Sequence, residues 1–498
     1  MNEPSPSSPA ARRPVTGVGV SRRTIRTTVV GLALVVATLV TVGFVRSMAE
    51  DPWSEIGHRA AERLGLDPAT YAFFVMLPDG QTFGHRAGEP MKPASSLKLV
   101  TAAVALDTLG SEAMIESDLR RTGRIRGGVL SGDLIVVGRG DPQRASADAD
   151  PLVTLNRWIE ILEGLCVERI DGDLVGDDTF LGGPGRREEW PADQLHRWYC
   201  APSGALNLND NCVDVEIGPD GSGNIGVQLF PKIRQFTVIN ELVPVSSADR
   251  HVYSIDRKPG TWEIRLTGRF LATRKPAVEW VTVEDPTLAY IDAFAGLLAS
   301  RGIQITGRVR RGVAPENSLL VDRVGRSVAS LVPRMLLRSS NLYADCLLRH
   351  TDRCAGGDGS FESAAITGER TLRGRFGWKG PVVLRDGSGL SHDNRVNARD
   401  MVVLLDECRR KPWGALIVDA LPEAGRSGTL IRRFRRAEVP VRAKTGHVNG
   451  VTTLCGFLDT PRGEVVFALL YQGPQGKRSA ADQWQESFLD DLHDQLSR

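Results

Sequence analysis

Three short groups of residues carry side chains suited to acyl transfer: Ser95-Ser96-Leu97-Lys98, Ser339-Ser340-Asn341 and Lys444-Thr445-Gly446. Ser95 and Lys98 stand three positions apart, so on a helix they share a face one turn apart. A helix N-terminus at Ser95 would also favour negative charge developing there. A serine hydroxyl attacks a carbonyl well only after a base has taken its proton. A lysine serves as that base once burial or a neighbouring cation depresses its pKa. Lys444 supplies such a cation if the fold brings it close. Ser339 suits proton relay between a lysine and a leaving group, and Asn341 suits a hydrogen bond to a substrate amide. Lys444 and Thr445 suit a substrate carboxylate, while Gly446 permits close approach of an extended peptide. The backbone N–H groups of Ser95 and His447 are the candidates for an oxyanion hole. Ser95, Lys98, Ser339 and Lys444 are therefore the expected catalytic residues. Asn341, Thr445, Gly446 and His447 are the expected substrate contacts.

Lysine usage sharpens this reading. The chain has nine lysines against 53 arginines. Arginine cannot release its proton in a protein, whereas lysine can. A lysine at 98 and at 444 is thus informative in a chain that otherwise prefers arginine. Any one group alone is weak, since S-x-x-K arises by chance about once or twice in a chain this long. All three in order carry the inference.

The surrounding pattern supplies elements to position them. Pro93 and Gly110 punctuate a helix over 93–109. Ser339 and Asn341 fall within a helical pattern over 328–350, or at a break between two helices; two residues apart, they would not share a helix face. Lys444 ends a β-like run over 439–443. Near the N-terminus, strands at 71–77 and 81–86 flank a Pro78-Asp79-Gly80 turn. Short β-like runs fill 113–283. Helical patterns return at 286–301, 397–410 and 481–496, with strands at 441–458 and 464–471. The expectation is an α+β catalytic domain, 53–112 and 284–498, interrupted by a mostly β insertion over 113–283.

Composition is ordinary for a globular protein, with 41% hydrophobic and 24% charged residues. The net charge of +2 is uneven: residues 1–49 carry +5 and the remainder −3. Such a body lacks the electrostatic footprint for nucleic acid, which is set aside as a partner. Residues 1–26, rich in Pro, Ser and Arg, read as a disordered cytoplasmic tail. The uncharged run from Thr27 to Val45, with arginines before it, reads as a membrane anchor over 27–46 or a cleaved signal segment. Either exports the body. Seven cysteines make an odd set, so at least one thiol has no partner within the chain. Cys200 and Cys212 flank a turn and are the candidate bridge; the remainder read as small buried hydrophobes. Without a C-x-x-C pair or a close His/Cys cluster, no metal is expected, and no cofactor.

In order, the three groups match the S-x-x-K, S-x-N and K-T-G set of penicillin-recognising serine enzymes. The chain resembles the class C low-molecular-mass penicillin-binding proteins, serine D-alanyl-D-alanine carboxypeptidases and endopeptidases, over most of residues 53–498. The likeness extends to Gly132-Asp133-Leu134 with Gly140-Asp141-Pro142, to Ala205-Leu206-Asn207 with Asn209, and to Ser340-Asn341-Leu342-Tyr343-Ala344-Asp345. It also covers Asp386-Gly387-Ser388-Gly389-Leu390-Ser391 and Ser427-Gly428-Thr429-Leu430. The roughly 240 residues between the first two motifs match that family's insertion and exceed what a simple β-lactamase holds.

The resemblance implies a DD-peptidase/β-lactamase-like transpeptidase fold, an antiparallel sheet with helices. It implies an acyl-enzyme on Ser95, with Lys98 as base and Ser339 with Lys444 in proton transfer. The implied partners are peptidoglycan stem peptides ending in D-Ala-D-Ala, with β-lactams as covalent inhibitors and the membrane reached through the N-terminal segment. The implied location is the bacterial envelope, with an extracytoplasmic (periplasmic) body. Two alternatives share parts of the pattern. A serine β-lactamase uses the same chemistry with fast deacylation, and a non-catalytic cell-wall-binding protein would show degraded motifs. His447 departs from the family, which usually carries a small or hydroxylated residue there.

Overall fold

The structure, a computed structural model, describes residues 52–143, 149–434 and 439–498. The expected tail and the anchor or signal segment lie outside the described residues. Among those described, no helix is long and apolar enough to cross a membrane.

Five antiparallel strands form the sheet that carries the third motif. They are β1 (Tyr71–Met76), β2 (Thr82–His85), β3 (Val441–Val448), β4 (Val451–Thr460) and β5 (Gly463–Gln472), in the order β3-β4-β5-β1-β2. The N-terminal hairpin thus completes a sheet built from the C-terminus, with Tyr71 opposite Tyr471 and Met76 opposite Val466. Eight of the ten β4 residues are buried, Val451 to Leu458 in an unbroken run. A strand apolar on both sides must be covered on both faces, and helices supply the cover.

The helices around the site are α1 (Leu97–Leu109), α2 (Val328–Arg338), α3 (Asn341–Cys354), α4 (Phe361–Arg375), α5 (Ala398–Arg410) and α6 (Arg478–Ser497). Leu97 to Leu106 of α1 are all buried, so this helix is covered all round and runs through the centre of the catalytic core. On the other face, Trp484 and Phe488 of α6 are buried, and Phe488 meets Phe73 of β1 edge-on at 4.9 Å. Fixing α1 between sheet and helices sets the catalytic geometry, because Lys98 is its second residue.

The helical pattern over 328–350 is two helices. Ser339 adopts a left-handed conformation (φ 58°, ψ 36°) that ends α2. Ser340 then caps α3 by accepting a bond from Tyr343 N at 3.4 Å.

The insertion has its own core. The strands Val309–Arg311, Leu174–Asp177, Leu134–Gly138, Met114–Arg121 and Leu319–Ser327 form one sheet in that order. Two helices, Val153–Gly164 and Pro286–Ser300, bury Trp158, Tyr290 and Phe294 in the same cluster. Packing of the second core continues past the expected boundary at 283, and Leu319–Ser327 pairs with Met114–Arg121. The helix at 286–300 resembles a return of the catalytic domain in sequence, but its apolar residues pack on the insertion. The helix at 153–164 was not among the expected elements.

Cys200 and Cys212 do not bridge; all seven cysteines are free thiols. Burial pushes the Cys200 thiol up to about 12, and it packs as a small hydrophobe beside Trp190 and Phe361.

Candidate active site

Ser95 lies on a single 3₁₀ turn, Ala94–Ser96, that leads directly into α1. The turn is locked to the sheet by buried hydroxyls. Ser96 Oγ meets Thr453 Oγ1 at 2.7 Å, and Thr453 donates to Pro93 O at 2.8 Å. Gly446 is required by this closeness. A Cβ there would lie 2.2 Å from Thr453 Oγ1 and 2.8 Å from both Pro93 O and Ser95 N. Only a residue without a side chain lets β3 pass against the serine turn.

All three motifs converge on Ser95. Lys98 Nζ donates to Ser95 Oγ at 2.9 Å, to Asn341 Oδ1 at 2.7 Å and to Ser388 O at 2.7 Å. Lys444 Nζ donates to Ser339 Oγ at 2.9 Å and to Thr445 O at 2.8 Å. Asn341 is held from the far side, its Nδ2 donating to Tyr199 O of the insertion at 2.8 Å. Thr445 Oγ1 donates to Thr429 Oγ1 at 2.7 Å. His447 reaches away along β3, its Nε2 3.1 Å from Asp482 Oδ1 on α6. Ser95, Ser339, Asn341 and His447 line a cleft of about 530 Å³, together with Trp198 and Tyr199 of the insertion. A second cavity of about 440 Å³ on the Thr445 side adds Arg432 and Arg433 and shares Arg478 with the first.

Both lysines are fully buried. Burial pushes Lys98 down to about 8, although Asp345 and Asp386 pull the other way. Burial, reinforced by repulsion from Lys98, holds Lys444 well below the ordinary lysine range. Two carboxyl groups that stood within quoted motifs without an assigned role now acquire one in the electrostatics. Asp386 accepts four bonds, from Gly389 N, Ser391 N, Asn394 Nδ2 and Trp190 Nε1. Asp345 is fully buried and accepts from Gly387 N at 2.8 Å, while its Oδ2 has no hydrogen-bond partner among the described residues. Burial, with Asp386 nearby, pushes Asp345 well above the usual carboxylate range. A signal existed in the sequence: Asp345 follows Asn341 by four positions on one helix, the spacing that shares a face. Thr429 stood within the Ser427-Gly428-Thr429-Leu430 group, whereas Tyr199 and Asp482 had no such signal.

A serine held by a depressed buried lysine, with a second depressed lysine on a relay hydroxyl, is an arrangement for acyl transfer. The model of the D-Ala-D-Ala carboxypeptidase 3 (S13) family matches residues 69–495, nearly the whole described chain. The chain belongs to this family. It is a serine-type D-Ala-D-Ala carboxypeptidase. A D-alanyl-D-alanine carboxypeptidase of Actinomadura sp. (strain R39) is 30% identical over 428 residues, 81% of this chain and 77% of that one. D-alanyl-D-alanine carboxypeptidase DacB of Haemophilus influenzae is 26% identical over 433 residues, 81% and 86% of the two chains. The crystal structure of penicillin binding protein 4 from Haemophilus influenzae superposes with a TM-score of 0.73 at 24% identity, covering 85% of this chain and 96% of that one. The family membership and this likeness bear out the class C resemblance and the DD-peptidase fold. The family match spans both cores of this chain.

Proposed function

We propose that Ser95 is the nucleophile and Lys98 its general base. The observation that carries this is the 2.9 Å contact between Lys98 Nζ and Ser95 Oγ, with the amine buried and pushed down to about 8. Neutral Lys98 takes the Ser95 proton as Oγ adds to the carbonyl of the penultimate D-Ala. The oxyanion is held by the N–H groups of Ser95 and His447, which the Gly446 approach supports by bringing β3 against Ser95 N. Collapse breaks the C–N bond, and Ser339, bonded to Lys444, returns a proton to the leaving D-Ala nitrogen. Water then adds to the Ser95 ester and releases the shortened peptide. Asn341 takes the substrate amide; Thr445, Gly446 and His447 line the place of its terminal carboxylate.

The substrate on this reading is a peptidoglycan stem peptide ending in D-Ala-D-Ala, and D-amino-acid cross-links of the same chemistry are cleaved as an endopeptidase. β-Lactams acylate Ser95 and persist, because the opened ring keeps its amine in the site. A structure of penicillin binding protein 4 from Haemophilus influenzae holds a novel β-lactam. The body works outside the cytoplasm, delivered by the N-terminal segment as an anchor or a signal.

The test is labelling of the purified protein with a fluorescent penicillin beside Ser95→Ala. Wild type should label and the variant should not. A wild type that releases no D-Ala from a soluble D-Ala-D-Ala peptide and takes no label would end this reading.

A further inference from the structure

The sheet of Ile225–Phe230, Cys212–Pro219 and Ala277–Thr282 lies in the insertion beside the cleft. Val213, Val215 and Ile217 of its central strand point into the second core, so Asp214 and Glu216 point outward. Register then lays out the solvent face in rows. Phe230 lies opposite Asp214, and Asp214 opposite Trp280; the next row is Gln228, Glu216 and Val278. Phe230 is 40% exposed and Trp280 44%. Strand spacing puts the two aromatic backbones roughly 10 Å apart, with the carboxylate between them.

The row continues into the active site. Arg197 bridges Val281, which brings the Trp198 backbone beside that of Trp280. Trp198 is 45% exposed and lines the Ser95 cleft. Three large exposed aromatics therefore step from the cleft mouth across an outward sheet face. Their burial elsewhere would stabilise the fold, so this exposure is unusual. A protein partner would want a contiguous apolar centre with few charges. This face instead separates its rings with Asp214, Glu216 and Gln228. Rings that stack on C–H faces, interleaved with acceptors for hydroxyls, are the chemistry that recognises a carbohydrate chain.

We infer that this face binds the glycan strand of the polymer whose stem peptide enters the cleft, with Trp280 and Phe230 stacking on successive N-acetylated sugars. The inference rests on the peptidoglycan reading above. It concerns the polymer only: a short soluble peptide reaches Ser95 without touching the face.

The experiment uses the full chain with Trp280→Ala and Phe230→Ser, two exposed positions outside the cleft. Three quantities are compared with wild type: D-Ala release from a soluble peptide, D-Ala release from intact sacculi, and fluorescence titration with peptide-free glycan chains. The soluble peptide should be cleaved at the wild-type rate. Each variant should lose about fivefold on sacculi and in glycan affinity, one aromatic contact's worth. Equal losses on peptide and sacculi, or no loss on sacculi, would overturn the inference. So would wild-type glycan affinity in variants that have lost self-association by sedimentation, since the face would then serve a second copy. If wild type cleaves no soluble peptide, the catalytic reading fails, and the glycan titration still decides this one.

Discussion

Lys444 Nζ reaches Ser339 Oγ at 2.9 Å because Ser339 takes a left-handed backbone between α2 and α3. A continuous helix would turn Ser339 and Asn341 to different faces. Broken here, the chain presents one to Lys444 and the other to Lys98. Ser339→Ala removes the relay hydroxyl and leaves the fold, so acylation by a penicillin should slow about a hundredfold with an unchanged melting temperature. Stopped-flow acylation decides it; a loss under threefold would remove Ser339 from proton transfer.

The depressed Lys98 sets a pH limb. Lys98 is charged and inactive as a base below about 8 and neutral above it. Acylation should rise about tenfold per pH unit below that value and level off above it. The stability term has a definite sign: the unfolded lysine holds its proton to higher pH, so Lys98's burial costs most below about 8. That cost is relieved as pH climbs towards lysine's ordinary range. Acylation that is flat from pH 6 to 9 would contradict the assignment.

Asp345, buried beside Lys98, accepts from Gly387 N at 2.8 Å and pulls the Lys98 pKa upward. Asp345→Asn keeps that acceptor and removes the carboxyl's pull, so the pH limb should move to lower pH. Asp345→Leu strands the Gly387 N–H and should slow acylation by about tenfold or more. A limb unmoved by Asn would show that Asp345 exerts no such pull on Lys98.

Gly446→Ala should be harmful out of proportion to one methyl group. The new Cβ would fall on Thr453 Oγ1 and against the Ser95 turn. Overpacking of this kind destabilises by about 1–3 kcal/mol and shifts the nucleophile. Thermal melting and penicillin labelling should fall together.

His447 is bonded to Asp482, whose burial opposes ionisation but whose carboxyl still lies below the usual range through His447, Arg433 and Arg478. His447→Thr restores the residue type usual in the resembling family and removes the link to α6. On a soluble peptide it should change KM more than kcat, since the residue lines the carboxylate side of the cleft. An effect confined to kcat would place His447 in the chemistry instead.

The motif residues were legible because lysine is rare in this chain and the three groups occur together in order. The catalytic helix, the N-terminal hairpin and the late strands were legible because proline, glycine and apolar periodicity mark them locally. The insertion's end was not. Tyr290, Phe294 and Leu298 form an apolar stripe that fits either core, and only strand pairing by Leu319–Ser327 assigns it. The Cys200–Cys212 bridge failed for the same reason, since spacing does not fix where two side chains point.

Taken alone, the sequence named the candidate groups: one serine suited to attack, two lysines that can lose a proton, and a glycine that admits a neighbour. Whether those lysines could act was decided by tertiary structure. Burial of Lys98, Lys444 and Asp345 and the reach of Tyr199 to Asn341 depend on surroundings contributed by residues up to hundreds of positions away. Desolvation is a property of the assembled interior, and no local pattern encodes it.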